Sequence, residues 1–253
     1  MILAADNLNP SNSAVAEALR KLDPQPLQAL ARRCREAGAG LLDLNPGYLP
    51  PRREDRITFL VDAVQEATSL PLILDSPNPK VLAKGLAACR NKPILSALTL
   101  EERKLAEILP LAVEHQTDLV LLLLDERSFP PPSLEGKIAL AVELRERALA
   151  AGLEESRLIF DPVLPNLSWP DAWAQVGAVA KAVRLLSSGA AFGLPARTMI
   201  GLSNLRSGLR RQYPVSLEQT CLALLAGAGL KIALADALQS ELVETARFLR
   251  QMG

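Results

Sequence analysis

The sequence predicts a closed (β/α)8 barrel formed as one domain over residues 1–253. Short runs rich in Leu, Ile and Val alternate with longer amphipathic segments along the whole chain. Counted out, they make about eight strands, each followed by a helix, and a chain of 253 residues matches the length one such barrel uses. A doubly wound open sheet is the alternative that uses the same elements.

The elements follow in order. Residues 1–5 form the first strand, and residues 14–37 a helical segment interrupted near Pro24 and Pro26, because proline is accommodated only in a helix's first turn. Strands at 40–44, 71–74 and 93–95 alternate with helices at 54–68, 79–90 and 99–115. The run at 119–124 carries no polar residue between Asp118 and Asp125, as expected of a strand covered on both faces. Helix 134–151, strand 157–160, helix 170–186, strand 198–201, helix 216–228, strand 231–234 and helix 240–251 complete the series. Pro130-Pro131-Pro132 and residues 187–195 read as extended loops within the domain.

Composition removes several function classes. Lys and Arg number 28, matched by 28 Asp and Glu, so the basic footprint of a nucleic-acid binder is missing. Apolar runs fall well short of the roughly 18–20 residues that span a bilayer, and the amino-terminal stretch lacks the basic and apolar regions of a secretory signal. A cytoplasmic location is the expectation, with no membrane or nucleic-acid partner. Cys34, Cys89 and Cys221 are scattered and odd in number, which fits reduced structural thiols. His115 stands alone and ends a helix, where a positive side chain suits the helix dipole, so no protein-bound metal is expected. Neither a phosphate-cradling loop nor Gly-x-Gly-x-x-Gly is present.

Polar residues recur immediately after the apolar runs, where a barrel assembles its active site. Asp6, Asn7, Asn9 and Asn12 follow the first strand; Asp43 and Asn45 end the second; Asp75, Ser76 and Asn78 follow the third. Ser96, Asp125, Asp161 with Asn166, Ser203 with Asn204, and Asp236 follow the remaining five in turn. Carboxylates accept from amino and ring N–H groups while amides both donate and accept, a set suited to a flat, neutral heterocycle. Taken singly, such residues also cap helices and close turns.

Asp43-Leu44-Asn45-Pro46-Gly47, Leu74-Asp75-Ser76-Pro77-Asn78, Phe160-Asp161-Pro162-Val163-Leu164-Pro165 and Gly201-Leu202-Ser203-Asn204 resemble, across the chain, the pterin-binding TIM-barrel family. The nearest resemblance within it is to methyltetrahydrofolate:corrinoid/iron-sulfur protein methyltransferases. It implies that Asp75 and Asp161 bind the amino and ring-nitrogen edge of the pterin. Asn204 would be the catalytic residue, beside the N5 that gives up the methyl group. Asn9, Asp43 and Asn45 match further positions around the pocket, either as ligand contacts or as loop architecture, and Ser96 stands at a pterin-binding position. The acceptor would be the cobalt(I) of a corrinoid, or cobalamin, supplied by a partner corrinoid protein, and the chain would form a homodimer.

Two departures from the family pattern stand out. Ser96 occupies the end of the fourth strand, where these methyltransferases commonly place asparagine, and Asp6-Asn7-Leu8-Asn9-Pro10 replaces the more usual Gly-Glu-Arg-Ile-Asn. Dihydropteroate synthase is the related alternative, although Ser203-Asn204-Leu205-Arg206 replaces its Ser-Arg-Lys. Ser96 also leaves open a barrel that binds pterin or docks a corrinoid protein with weak or no catalysis.

Overall fold

The structure, a computed structural model, describes residues 1–209 and 213–252. Among them, strands β1 (Ile2–Leu8), β2 (Leu41–Leu44), β3 (Leu72–Asp75), β4 (Ile94–Leu98), β5 (Asp118–Leu122), β6 (Leu158–Asp161), β7 (Arg197–Gly201) and β8 (Ile232–Ala235) pair in chain order into a closed parallel barrel. The seam is made by β1 and β8, with Ile2 beside Ile232 and Ala4 beside Leu234. Helices α1 (Ser13–Lys21), α2 (Pro24–Ala37), α3 (Arg56–Ala67), α4 (Pro79–Ala88), α5 (Glu102–His115), α6 (Leu134–Ala150), α7 (Ala172–Ser187), α8 (Val215–Gly227) and α9 (Ser240–Met252) form the outer ring. The fold is the (β/α)8 TIM barrel that the alternation predicts; the doubly wound sheet is excluded by closure.

The prolines act where the chain needs a break. Leu22 ends α1 in the left-handed region at φ 57°, and Asp23 caps α2 by accepting from the Gln25 N–H at 3.0 Å, leaving Pro24 at the first helical position. Pro110, by contrast, lies inside α5.

Two strands run further than their apolar residues predict. β1 continues through Asp6 and Asn7 because β8's carboxyl end supplies partners. The Asn7 Nδ2 donates to Asp236 Oδ1 at 2.5 Å, and its Oδ1 accepts from the Ala237 N–H at 2.9 Å. β4 likewise continues through Ser96 to Leu98. Both places coincide with a register shift, between Ala5 and Leu8 and between Leu95 and Leu98, where a bulge re-aims side chains near a site. β5 stops early at Leu122, because Leu124 turns back to bond the Leu122 carbonyl.

Strand alternation divides the core. One cluster fills the barrel interior with Ala4, Leu41, Ile73, Ile94, Val120, Ile159, Met199 and Ile232; a larger one packs the outward strand residues against the helices. Helix α4 approaches that outer layer closely at Gly85, where a Cβ would sit 2.8 Å from Ile57 Cγ1 and 3.1 Å from Leu74 Cδ1. Gly85→Val is therefore expected to lower unfolding free energy by about 2 kcal/mol, overpacking outweighing any gain in chain stiffness. Urea unfolding checks it: an unchanged midpoint would show that α4 can step back at no cost.

Candidate functional site

Side chains repeat with period two along a strand, so the residue two beyond each interior apolar residue points to the barrel axis one layer higher. Those eight are Asp6, Asp43, Asp75, Ser96, Leu122, Asp161, Gly201 and Leu234, and every one lines a cavity of about 470 Å³ at the strands' carboxyl ends. Rim residues Asn9, Asn45, Lys104, Ser203 and Asn204 complete it. The seven residues singled out from the sequence, Asn9, Asp43, Asn45, Asp75, Ser96, Asp161 and Asn204, are thus brought together around one space.

Each acid is held differently. Asp75 Oδ2 accepts from Asn45 Nδ2 at 2.8 Å and the Ser96 hydroxyl also donates to this carboxyl. Burial raises the Asp75 pKa against the lowering influence of these bonds and of Lys104. Asn45 is itself fixed, its Oδ1 accepting from the Gly47 N–H at 2.8 Å. Asp161, 4% exposed, is pushed by burial to about 7, with the N–H groups of Val163 and Gly201 and the charge of Lys137 pulling the other way. Its Oδ1 accepts from Val163 at 2.8 Å across a turn that puts Val163 at φ 57°. A β-branched residue in that region costs on the order of 1–3 kcal/mol, strain of the kind found where a side chain must be aimed.

Asp43 is the most isolated. It is 3% exposed, and among the described residues its Oδ1 has no hydrogen-bond partner. Burial, then the charges of Asp75 and Asp6, raise its pKa well above the ordinary carboxylate value, which favours its protonated form. Asp6 is raised to about 6 by burial, with the Ser203 hydroxyl bond opposing.

These shifts fix the pH dependence of folding. The folded state keeps protons that an unfolded chain releases near pH 4, so stability falls as pH rises through about 6 and 7. Ligand-free protein is expected to be more stable at pH 5.5 than at pH 8, each group losing on the order of 1.4 kcal/mol per pH unit only until its own folded-state pKa is passed. Calorimetric melts at the two pH values test it; a higher melting temperature at pH 8 would mean the cavity acids are ionised throughout.

Asn204 lies in a 3-10 turn, Leu202–Leu205, directly after β7. Gly201 leaves it room, since a Cβ there would sit 3.3 Å from the Asn204 Nδ2, and Asn166 braces the loop by donating to the carbonyls of Asn204 at 3.3 Å and Ser207 at 2.7 Å. Asn9 donates to the Asp6 carbonyl and accepts from Ser11. Other polar residues named from the sequence serve architecture: Asn12 and Asn78 cap α1 and α4, and Asp125 closes its loop by accepting from Arg127 and Phe129. Arg206, read from the sequence as a surface arginine, pairs with the buried Glu218 at 2.5 Å. His115 is exposed in the last turn of α5, ahead of β5 and so at the barrel's other end. The three cysteines are free thiols, and among the described residues no cluster of His, Cys, Asp or Glu is arranged to hold a metal ion.

Lys104 and Lys137 belong to this neighbourhood although the sequence does not mark them. Each sits on a helix among other charged residues, where a lysine reads as solvated surface. Lys104 lines the cavity, paired to Glu101 at 2.9 Å. Lys137 is fully buried, bonded to the carbonyl of Pro162 next to Asp161 and close enough for the Asp161 charge to act on it.

Fold and site together define a (β/α)8 barrel with an acid- and amide-lined cavity at its strand ends. The chain belongs to the pterin binding enzyme family, whose profile it matches over residues 6–233. It is 27% identical over 212 residues to the methylcorrinoid:tetrahydrofolate methyltransferase of Eubacterium limosum, covering 79% of this chain and 78% of that protein. It is also 24% identical over 247 residues to the methionine synthase of Mycobacterium leprae (strain TN), 94% of this chain but 20% of that much longer protein. Among solved structures, the dihydropteroate synthase of Coxiella burnetii in complex with pteroic acid superposes with a TM-score of 0.74 at 16% identity, over 99% of this chain and 92% of that one. The Yersinia pestis synthase with a pterine-sulfa conjugate gives 0.72 at 18%, over 100% and 93%. At these identities the synthases share the fold. No helix among the described residues is long and apolar enough to cross a membrane.

Proposed function

We propose that the protein is a methyltransferase moving the N5-methyl group of methyltetrahydrofolate to the cobalt(I) of a protein-bound corrinoid, or the reverse. The observation that carries this reading is the gathering of Asp75, Asp161 and Asn204 with Asp43, Asn45, Asn9 and Ser96 around one cavity. The Eubacterium limosum relative, named for methylcorrinoid and tetrahydrofolate, supports the same chemistry. The corrinoid, carried by a partner protein, supplies the methyl acceptor; the proposed enzyme is cytoplasmic and homodimeric.

The chain's own residues bind, aim and protonate. Asp75 and Asp161 accept from the amino and ring N–H groups along one edge of the pterin, while Leu122, Met199 and Leu234 offer an apolar floor to its flat face. Ser96, too short to replace an asparagine, instead donates to Asp75 and keeps it aimed. An N5 amine is a poor leaving group until positive charge there is stabilised. Burial and the neighbouring acids favour the protonated form of Asp43, which serves as a proton source for that nitrogen, and the Asn204 amide hydrogen-bonds it as its charge changes.

Incubation with methyltetrahydrofolate and a reduced corrinoid protein tests the proposal, the corrinoid's visible spectrum reporting methylation. Tight pterin binding without turnover would leave a docking barrel and sink the transfer reading. Condensation of a pterin pyrophosphate with p-aminobenzoate would instead identify a synthase. Among the described residues, Lys104, which lines the cavity, and Arg206 on the turn after β7 are already engaged by Glu101 and Glu218, which counts against that outcome.

A further inference from the structure

We propose that Lys137 is a positioning residue for pterin binding: from α6 it holds the Asp161-Pro162-Val163 turn through the Pro162 carbonyl and sets its ammonium close to Asp161, so the carboxylate meets the ring aimed and charged. The proposal rests on the pterin reading of the cavity.

Lys137 follows the Ser133 cap of α6, its N–H bonded to the Ser133 carbonyl at 3.1 Å, and its side chain runs inward to full burial. Its Nζ donates to the Pro162 carbonyl at 2.8 Å, and among the described residues no carboxylate lies within ion-pairing distance. Lysine is almost never fully buried without a partner, and an apolar side chain of similar volume would fill the space without desolvating a charge. The placement therefore calls for a task beyond packing.

The task is legible in what the ammonium touches. Pro162 joins Asp161 to Val163, the residue whose N–H grips the Asp161 carboxylate and whose backbone is in the left-handed region. Holding the Pro162 carbonyl holds both ends of that turn. Burial lowers Lys137 to about 8, and the Asp161 charge acts to raise it; reciprocally, Lys137 is the charged group that favours the ionised form of Asp161. The other groups facing Asp161 are uncharged: Leu122 beside it on β5 and the Gly201 N–H on β7. Asp6, Asp43, Asp75 and Lys104 line the same cavity from β1, β2, β3 and α5.

Calorimetric titration of methyltetrahydrofolate from pH 6 to 9 compares wild type with Lys137→Met and Lys137→Gln. Lys137→Met is expected to bind at least ~10-fold more weakly at pH 7.5, the pH midpoint of affinity moving up by about one unit. Lys137→Gln, which keeps a donor for Pro162 without charge, is expected to show the same midpoint shift with a smaller loss. Folded variants with wild-type affinity and midpoint would overturn the proposal. Should neither fold, carbon-13 NMR of the lysine ε-carbons decides it without ligand. The lysine titrating near pH 8 is expected to titrate lower in Asp161→Asn than in wild type, and an unchanged midpoint would overturn the coupling. Wild-type protein that binds no methyltetrahydrofolate at any pH would sink the pterin reading, while the NMR comparison still judges the lysine and its acid.

Discussion

Asp161→Asn is expected to weaken methyltetrahydrofolate binding at pH 8 by about 100- to 1,000-fold, with the fold intact. Hydrogen bonds to a charged acceptor contribute roughly 1.5–3 kcal/mol each, and two ring donors meeting one carboxylate at the lower end of that scale, about 3–4 kcal/mol together, account for the loss. The amide keeps an oxygen for the Val163 N–H, so the turn is retained. It also turns an N–H toward a ring edge that has only N–H to offer. The pH profile sharpens the test. Wild-type affinity should fall as pH drops through about 7, because protonation removes the acceptor that the ring requires. Stability moves the opposite way over the same interval, so a loss of affinity at pH 6 cannot be attributed to unfolding. The variant has no carboxyl at this position to titrate, and its profile should be flatter there. Titration calorimetry between pH 6 and 9 measures both effects; affinity within threefold of wild type at pH 8 would remove Asp161 from the binding edge.

The fold was written in the sequence as alternation, and the errors lie at strand ends, where polar residues prolong β1 and β4 and a turn cuts β5 short. Reading Asp6-Asn7 and Ser96 as lying beyond β1 and β4 follows from apolarity, whereas both strands continue through them, β1 with partners from β8 and each with a register shift. The same period-two geometry contains the site. Stepping two residues from Ala4, Leu41, Ile73 and Ile159 reaches Asp6, Asp43, Asp75 and Asp161, so four cavity acids follow from pattern alone once register is known. Lys104 and Lys137 do not follow, because helix rotation and depth of packing decide whether a long cation reaches inward. Nor could sequence distinguish Asn12 and Asn78, which cap helices, from Asn9 and Asn45, which face the cavity: all follow strands, and only the loop path separates them.

Asn204→Ala is expected to lower the methyl-transfer rate by about 100- to 1,000-fold while changing methyltetrahydrofolate affinity less than threefold, the scale of removing one aimed hydrogen-bond partner from a developing charge. The asymmetry follows from where binding energy resides. In the proposed mechanism Asp75 on β3 and Asp161 on β6 hold the ring's donor edge in ground state and transition state alike, so they set affinity. Asn204 stands on a short turn after β7, and N5 gains its positive character only as the methyl bond is made or broken. An interaction that strengthens during that step changes kcat and leaves binding nearly as it was. The architecture favours such a role. Asn166 pins the turn's carbonyls, and the missing side chain of Gly201 lets the Asn204 amide lie over the strand end. Lengthening the side chain in Asn204→Gln should therefore restore little, because the amide is displaced by about one methylene, and misplacement of about 1 Å can cost 100-fold. Single-turnover kinetics separate the outcomes. Loss confined to affinity would make Asn204 a binding group, and full activity in Asn204→Ala would leave N5 protonation to Asp43 alone.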